Sequence, residues 1–225
     1  MVWLITGMTL GSLFFFVILI IGIYFIYKEH SIKRLTKKLG QKSEVLINND
    51  INIWAKHTKN KFLKASLYKY DQNKVFETDG ILVTKKALIV IEIKSIKGEV
   101  IGDAKIPQWT KKLGEVEHPI KNPVIQNDKH IDHIMKMMQL KVPIVSLIIF
   151  SNRTESIKVS NQPQHVIITR HSELYSKLDE IDSVLEPRLS DSQVVSLAKS
   201  IKNFKTTKSQ DIHLHKVVTK QIKTT

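Results

Sequence analysis

The sequence predicts a mixed α/β domain, a central sheet flanked by helices, behind one transmembrane helix. Three observations predict it. Met1 to Tyr27 carries no charged side chain, and Leu10–Tyr27 is almost wholly apolar. The stretch Lys74–Gly98 reads as two strands rich in β-branched residues around a tight turn at Lys85-Lys86. Helical periodicities lie before and after it, and a second oily run, Val142–Phe150, has the length of an interior strand.

A chain of 225 residues has room for one domain plus an anchor. Its formal net charge of +14 makes an acidic polymer, nucleic acid or anionic lipid, a natural neighbour. The plainer reading is a lysine-rich chain that is basic through biased composition. The absence of cysteine excludes disulfides, thiolate metal sites and cysteine nucleophiles. No Walker-type glycine loop, nucleophile elbow, H-E-x-x-H or dinucleotide fingerprint occurs, so no nucleotide cofactor is expected.

Taken in order, residues 1–27 are expected to form a membrane anchor. Leu10–Tyr27 is long enough to cross about 30 Å of hydrocarbon as a helix. A cleaved signal peptide would want a basic start and a small-residue cleavage site, and neither is present. Trp3, Tyr24 and Tyr27 stand where aromatic rings favour the interface, and Lys28, Lys33, Arg34, Lys37 and Lys38 follow at once. The positive-inside rule then puts the N-terminus outside the cell membrane and the rest of the chain in the cytoplasm. Residues 28–39 read as a basic juxtamembrane connector that could touch anionic headgroups.

The domain is expected over residues 40–204. Within Lys42–Trp54, Glu44, Ile47, Ile51 and Trp54 fall on one helical stripe. Lys61–Tyr70 approaches the hairpin as a strand, and Glu99–Trp109 adds a short strand and a turn at Pro107. Trp109 reads as a packing residue. Asn122 caps a helix with Pro123 in its first turn. Val124, Ile131, Ile134 and Met138 form that helix's apolar face, and Gln126, His130 and His133 lie roughly opposite as a polar face. Val166–Thr169 reads as a strand, Ser172–Ile181 and Ser190–Phe204 as helices, and residues 205–225 as a basic mobile tail.

The hairpin carries the candidate chemistry. With Lys85-Lys86 as its turn, Asp79 faces Glu92, and Lys94 shares the Glu92 face because strand side chains alternate. Ile89, Ile91 and Ile93 make the other face, which is core. Two carboxylates and an amine on an oily strand are costly to bury without a purpose. They suit metal-dependent phosphodiester hydrolysis. Carboxylates can hold Mg²⁺ or Mn²⁺ and leave positions for water and phosphate, while the lysine orients water or neutralises developing charge. The plainer reading is a cross-strand ion pair on an edge hairpin.

The segment TDGILVT…ALIVIEIKSIKG resembles the nuclease-related domain, a branch of the PD-(D/E)xK superfamily. Glu44 on the upstream helix, Gly98, Trp109, the run Asn122-Pro123-Val124-Ile125-Gln126 and the strand Val142–Phe150 follow that family's order over roughly residues 40–170. Ser43 departs from it, since the family usually has glycine before the helix glutamate. The resemblance implies a restriction-endonuclease-like fold and a nuclease acting on DNA or RNA. In that setting Asp79, Glu92 and Glu44 would ligate the metal, Lys94 would position or activate water, and Gln126 would stand near the pocket in support. The alternative is a nucleic-acid-binding or membrane-scaffolding domain that keeps these residues without turnover.

Overall fold

The computed structural model describes residues 2–72, 74–138 and 142–224, and the side chains of 18–72, 74–138 and 142–219. The chain divides into two compact units, Met1–Lys42 and Ser43–Thr225. No proline interrupts residues 2–57, and the stretches expected as anchor, connector and first domain helix run as one helix, α1 (Val2–His57), instead of three segments. Among the described residues no helix is long and apolar enough to cross a membrane. Residues 1–17 of the expected anchor have side chains outside that description.

The second unit is built on a five-stranded sheet of order β1-β2-β3-β7-β9. Its strands are β1 (Lys61–Asp71), β2 (Lys74–Val83), β3 (Leu88–Lys94), β7 (Ile144–Phe150) and β9 (Val166–Arg170). β1, β2 and β3 are antiparallel neighbours, whereas β3, β7 and β9 run parallel. β3 and β7 are continuous apolar runs because both their faces are covered. One face packs on α1 and on α3 (Leu174–Val184). There Ile47, Ile51 and Trp54 meet Ile89, Ile91, Ile93, Leu147 and Leu178. The other face packs on α2 (Pro123–Met137) and α4 (Asp191–Asn203), through Ile134, Met137, Val194 and Ile201 against Ile81, Val83, Leu88 and Val90.

Three strands between β3 and α2, with a fourth from after β7, form a second sheet of order β6-β5-β4-β8, where the sequence predicted only one sheet. It comprises β4 (Gly98–Asp103), β5 (Gln108–Leu113), β6 (Val116–Lys121) and β8 (Thr154–Ser160). It covers Ile148, Phe150 and Val166 with Val100, Ala104 and Trp109. Trp109 is 1% exposed and donates from Nε1 to the Asp103 carbonyl, so it is a packing residue as expected. Gly102 makes room for it, since a Cβ there would sit 2.2 Å from the indole. Gly98 starts β4 at φ +94°, and its added Cβ would lie 2.2 Å from the Lys112 carbonyl oxygen, so glycine is required twice over.

α2 begins as the sequence predicts. Asn122 Oδ1 accepts from Val124 N–H at 2.8 Å, and Pro123 needs no donor. The Asn122 amide also donates to the carbonyls of Ala104 and Ile106, tying the start of α2 to the β4–β5 loop. α4 opens on a capping box formed by Ser190 and Gln193.

Residues 209–224, expected as part of a mobile tail, are instead a helix, α5 (Ser209–Thr224). Its root is held firmly. Lys69 N–H donates to Phe204 O and Thr206 N–H to Leu67 O, so the α4–α5 connector pairs with the outer edge of β1. Asp211 is buried between Lys69 Nζ (3.1 Å) and Thr206 Oγ1 (2.6 Å).

Candidate active site

The turn Thr84–Ala87 is closed by the Thr84 hydroxyl, which accepts from Ala87 N–H at 2.9 Å and Lys86 N–H at 3.1 Å. From there the β2–β3 ladder runs in the predicted register, Val83↔Leu88 through Gly80↔Ile91. Asp79 and Glu92 are the next facing positions, and there the ladder opens. Ile93 N–H does not meet a strand carbonyl. It donates to Asp79 Oδ2 at 2.7 Å, so the carboxylate stands in for the missing backbone partner.

Alternation sets Asp79 on the side of Ile81 and Val83, and Glu92 and Lys94 on the side of Leu88 and Val90, which is the α2 side of the sheet. Glu92 is 2% exposed. Its Oε1 lies 2.5 Å from Lys94 Nζ, and that ammonium donates to Gln126 Oε1 at 2.8 Å. His130, one turn beyond Gln126, brings Nε2 to 3.6 Å from Glu92 Oε2. The predicted polar face of α2 is therefore turned toward the sheet and not toward water. Gln126 and His130 meet Lys94 and Glu92, and Phe76 and Tyr70 from the β1–β2 hairpin pack on His130 and His133. Buried Asn127 fixes the helix there by donating to Val90 O (2.9 Å) and Ser146 Oγ (2.8 Å). Burial, then the neighbouring His130, holds His133 below its ordinary pKa.

The two carboxylates differ electrically. Burial first, then the Glu92 charge, pushes Asp79 up to about 7, against the opposing Ile93 N–H and Lys94. Burial also pushes Glu92 up, but His130 and Lys94 together outweigh it and hold Glu92 below the usual carboxylate range. Near neutral pH the pair thus carries one firm negative charge and one that is half-titrated.

Glu44 stands apart. The stripe it begins continues through Ile47, Ile51 and Trp54 into the core on the α1 face, but Glu44 itself is exposed and accepts no hydrogen bond among the described residues. Its pKa is raised by partial desolvation first, with Glu77 and Glu92 adding and Lys94 opposing, so it senses the site without joining it. Among the described residues no group of three or more His, Asp or Glu side chains is placed to hold a metal ion. The structure brings together Asp79, Glu92, Lys94 and Gln126, adds His130, and leaves the expected third acid at the rim.

Sequence reasoning gave His130 no part in the site, because its partner lies across the fold on β3. The residue spacing did contain one signal: His130 is one helical turn from Gln126, as Glu92 is one alternation from Lys94.

Comparison with known proteins identifies the family. An uncharacterized protein of Bacillus anthracis is 22% identical over 176 residues, spanning 77% of this chain and 73% of the relative. Residues 34–151, just over half of the chain, match the nuclease-related domain. That span holds Glu44, both strands of the central hairpin, the second sheet through β6, and the start of α2 with Gln126, so every predicted site residue falls inside it. The chain therefore belongs to the nuclease-related domain family.

Proposed function

We propose that the chain is a divalent-metal-dependent nuclease that hydrolyses phosphodiester bonds at the cytoplasmic face of the cell membrane. The observation that carries this reading is the open end of the β2–β3 ladder. There Asp79 and Glu92 share a face, and Lys94 is held between Glu92 and Gln126.

The residues suit a hard cation. Asp79, which burial and then the Glu92 charge push up to about 7, forms with Glu92 a donor set that a divalent ion relieves. Magnesium commonly takes only one or two carboxylates, with water and phosphate oxygens completing its shell. Asp79 and Glu92 would hold it, and the ion would supply Lewis-acid polarisation of the phosphate. Asp79, kept in place by Ile93 N–H, takes part once it is ionised. Lys94 presents a fixed ammonium beside the carboxylates and stabilises charge that develops on the phosphate oxygens or orients the attacking water. Gln126 holds Lys94 in that position, and Glu44 at the rim contributes negative potential only.

Membrane attachment is supported by the chain's own surface. Leu10–Tyr27 has no charged residue. Its described apolar side chains, from Ile18 to Tyr27, are 46–73% exposed on all sides of α1. Such a band is satisfied by lipid, and the five basic residues that follow favour the cytoplasmic side for the second unit.

One observation favours a second reading. Glu92 already has Lys94 and His130 on its two oxygens, so the site is electrostatically satisfied without a cation, as in a binding domain without turnover. Cleavage separates the two. Full-length chain in detergent, incubated with supercoiled plasmid and Mg²⁺ or Mn²⁺, is expected to nick or linearise it, and chelator or Lys94→Ala to stop this. Intact plasmid with both metals, alongside retained DNA binding, would establish the binding domain instead.

A further inference from the structure

An acidic site that receives an anionic polymer needs positive charge near its entrance. Asp79, Glu92 and the rim acids Glu44 and Glu77 outnumber Lys94. Glu77 lies two residues before Asp79 on β2, it is exposed, and its charge reaches Glu44. α5 contacts this rim, bringing His215 Nδ1 to 3.8 Å from Glu77 Oε2.

The charge of α5 is one-sided. Its single acid, Asp211, is buried and paired with Lys69, so it contributes no negative charge to the exposed surface. Asp211 and the half-buried Leu214, His215 and Thr219 form the inward side, while His213 and Lys216 are exposed on the other. In sequence, Lys220 and Lys223 repeat the Lys216 position at i+4 and i+7, the spacing of one helical stripe. From His213 to Lys223 such a stripe extends about 15 Å, the length of roughly four nucleotides along one strand.

We propose that α5 is the nucleic-acid-docking element of this chain, with its basic stripe taking the phosphodiester backbone beside the acidic site. The inference rests on the nuclease reading for its substrate class, but it concerns residues beyond the 34–151 match. A membrane surface would be the other polyanion for such a stripe. The contact between α5 and the strand that carries Asp79 favours nucleic acid, because the stripe is thereby tethered at the site's edge. Asp211, Thr206 and the pairing of the α4–α5 connector with β1 supply the fixed root that such a tether needs.

The test is binding, read without turnover. Full-length chain in detergent, with chelator present, is titrated into a labelled short DNA duplex across a salt series. Each phosphate contact contributes about 0.9 to the slope of log affinity against log salt. Removing three cations by Lys216→Ala, Lys220→Ala and Lys223→Ala together should lower the slope by about 2.7. Between about 50 and 200 mM salt the wild type should then lose about fortyfold more affinity than the variant. Replacing the same three lysines by arginine should preserve affinity and slope, which a folding defect in the alanine protein would not explain. Unchanged affinity and slope in the alanine variant would overturn the proposal. So would unchanged DNA binding combined with lost binding to phosphatidylserine vesicles, which would assign the stripe to the membrane. Because no cleavage is measured, an inactive wild type that still shows the lysine-dependent slope would defeat the nuclease reading and leave the docking assignment standing.

Discussion

The two ends of the β2–β3 ladder are built from one strand pair but solve different problems. At the closed end, Thr84–Ala87 is satisfied by its own hydroxyl and backbone, and Leu82, Val83, Leu88 and Ile89 are fully covered by helices on both faces. The four apolar side chains there contribute by leaving water. At the open end, a carboxylate replaces a ladder carbonyl and two acids and an amine share a buried face. One acid is pushed up to about 7 as a result. The closed end stores stability, and the open end spends part of it on a strained charge arrangement. Polar groups that burial disfavours persist where they have work to do.

The largest effects are expected at the open end, and on activity. Lys94→Ala removes the fixed ammonium and should lower the cleavage rate by on the order of 10²–10³. It should leave metal binding largely intact, since an ammonium cannot ligate a cation. Glu92→Gln keeps the shape but removes a ligand, and should lose both cleavage and metal affinity. Cleavage rates paired with metal titration would read both variants. Equal loss of metal binding in the two would remove the proposed division of roles.

At the closed end the expected loss is of stability. Leu82→Ala empties a fully buried position in the α1-facing core and should cost about 2–5 kcal/mol by denaturant unfolding. The rate constant for cleavage by the remaining folded protein should not change. A catalytic defect beyond the folded fraction would mean that the two ends are not separable.

A smaller effect distinguishes the ends by pH. In metal-free buffer, native Asp79 titrates near 7 while its unfolded value is 3.8, so the native state holds the extra proton between these values. Stability should therefore fall as pH rises from about 4 to about 7, and level off above. Asp79→Asn should remove that decline and be relatively more stable above pH 7, although inactive. Thermal melting across this range measures it, and an unchanged slope in the variant would show that another group is responsible.

The same contrast explains what was legible in the sequence. The hairpin register followed from a turn and an alternation, both local, and the ladder keeps it from Val83↔Leu88 to Gly80↔Ile91. The second sheet did not. β6 reads VEHPIK and is mostly exposed, and β8 is a half-exposed edge strand, so neither has the apolar run that marks a strand. The polar and basic composition of residues 205–225 predicts a mobile tail, yet α5 forms there. Its root lies in a Lys69–Asp211 pair separated by more than half the chain, which no local pattern reveals. Glu44 shows the reverse failure. A stripe of three buried residues was extended by one position, past the point where the sheet covers the helix. For His130, helical periodicity gives a polar face of α2 and not what stands opposite it, which is Glu92.

The central claim is that Asp79 and Glu92 are held together for a cation, and metal-dependent thermal melting tests it most directly. Full-length wild type, Asp79→Asn and Glu92→Gln would be melted with and without Mg²⁺ or Mn²⁺ at pH 7.5. An ion that binds only the folded state at 100 times its dissociation constant adds about 2.7 kcal/mol. The account predicts a metal-dependent rise in Tm for the wild type and little or none for either variant. A wild-type Tm that ignores both metals, or variants that respond as fully as the wild type, would contradict it.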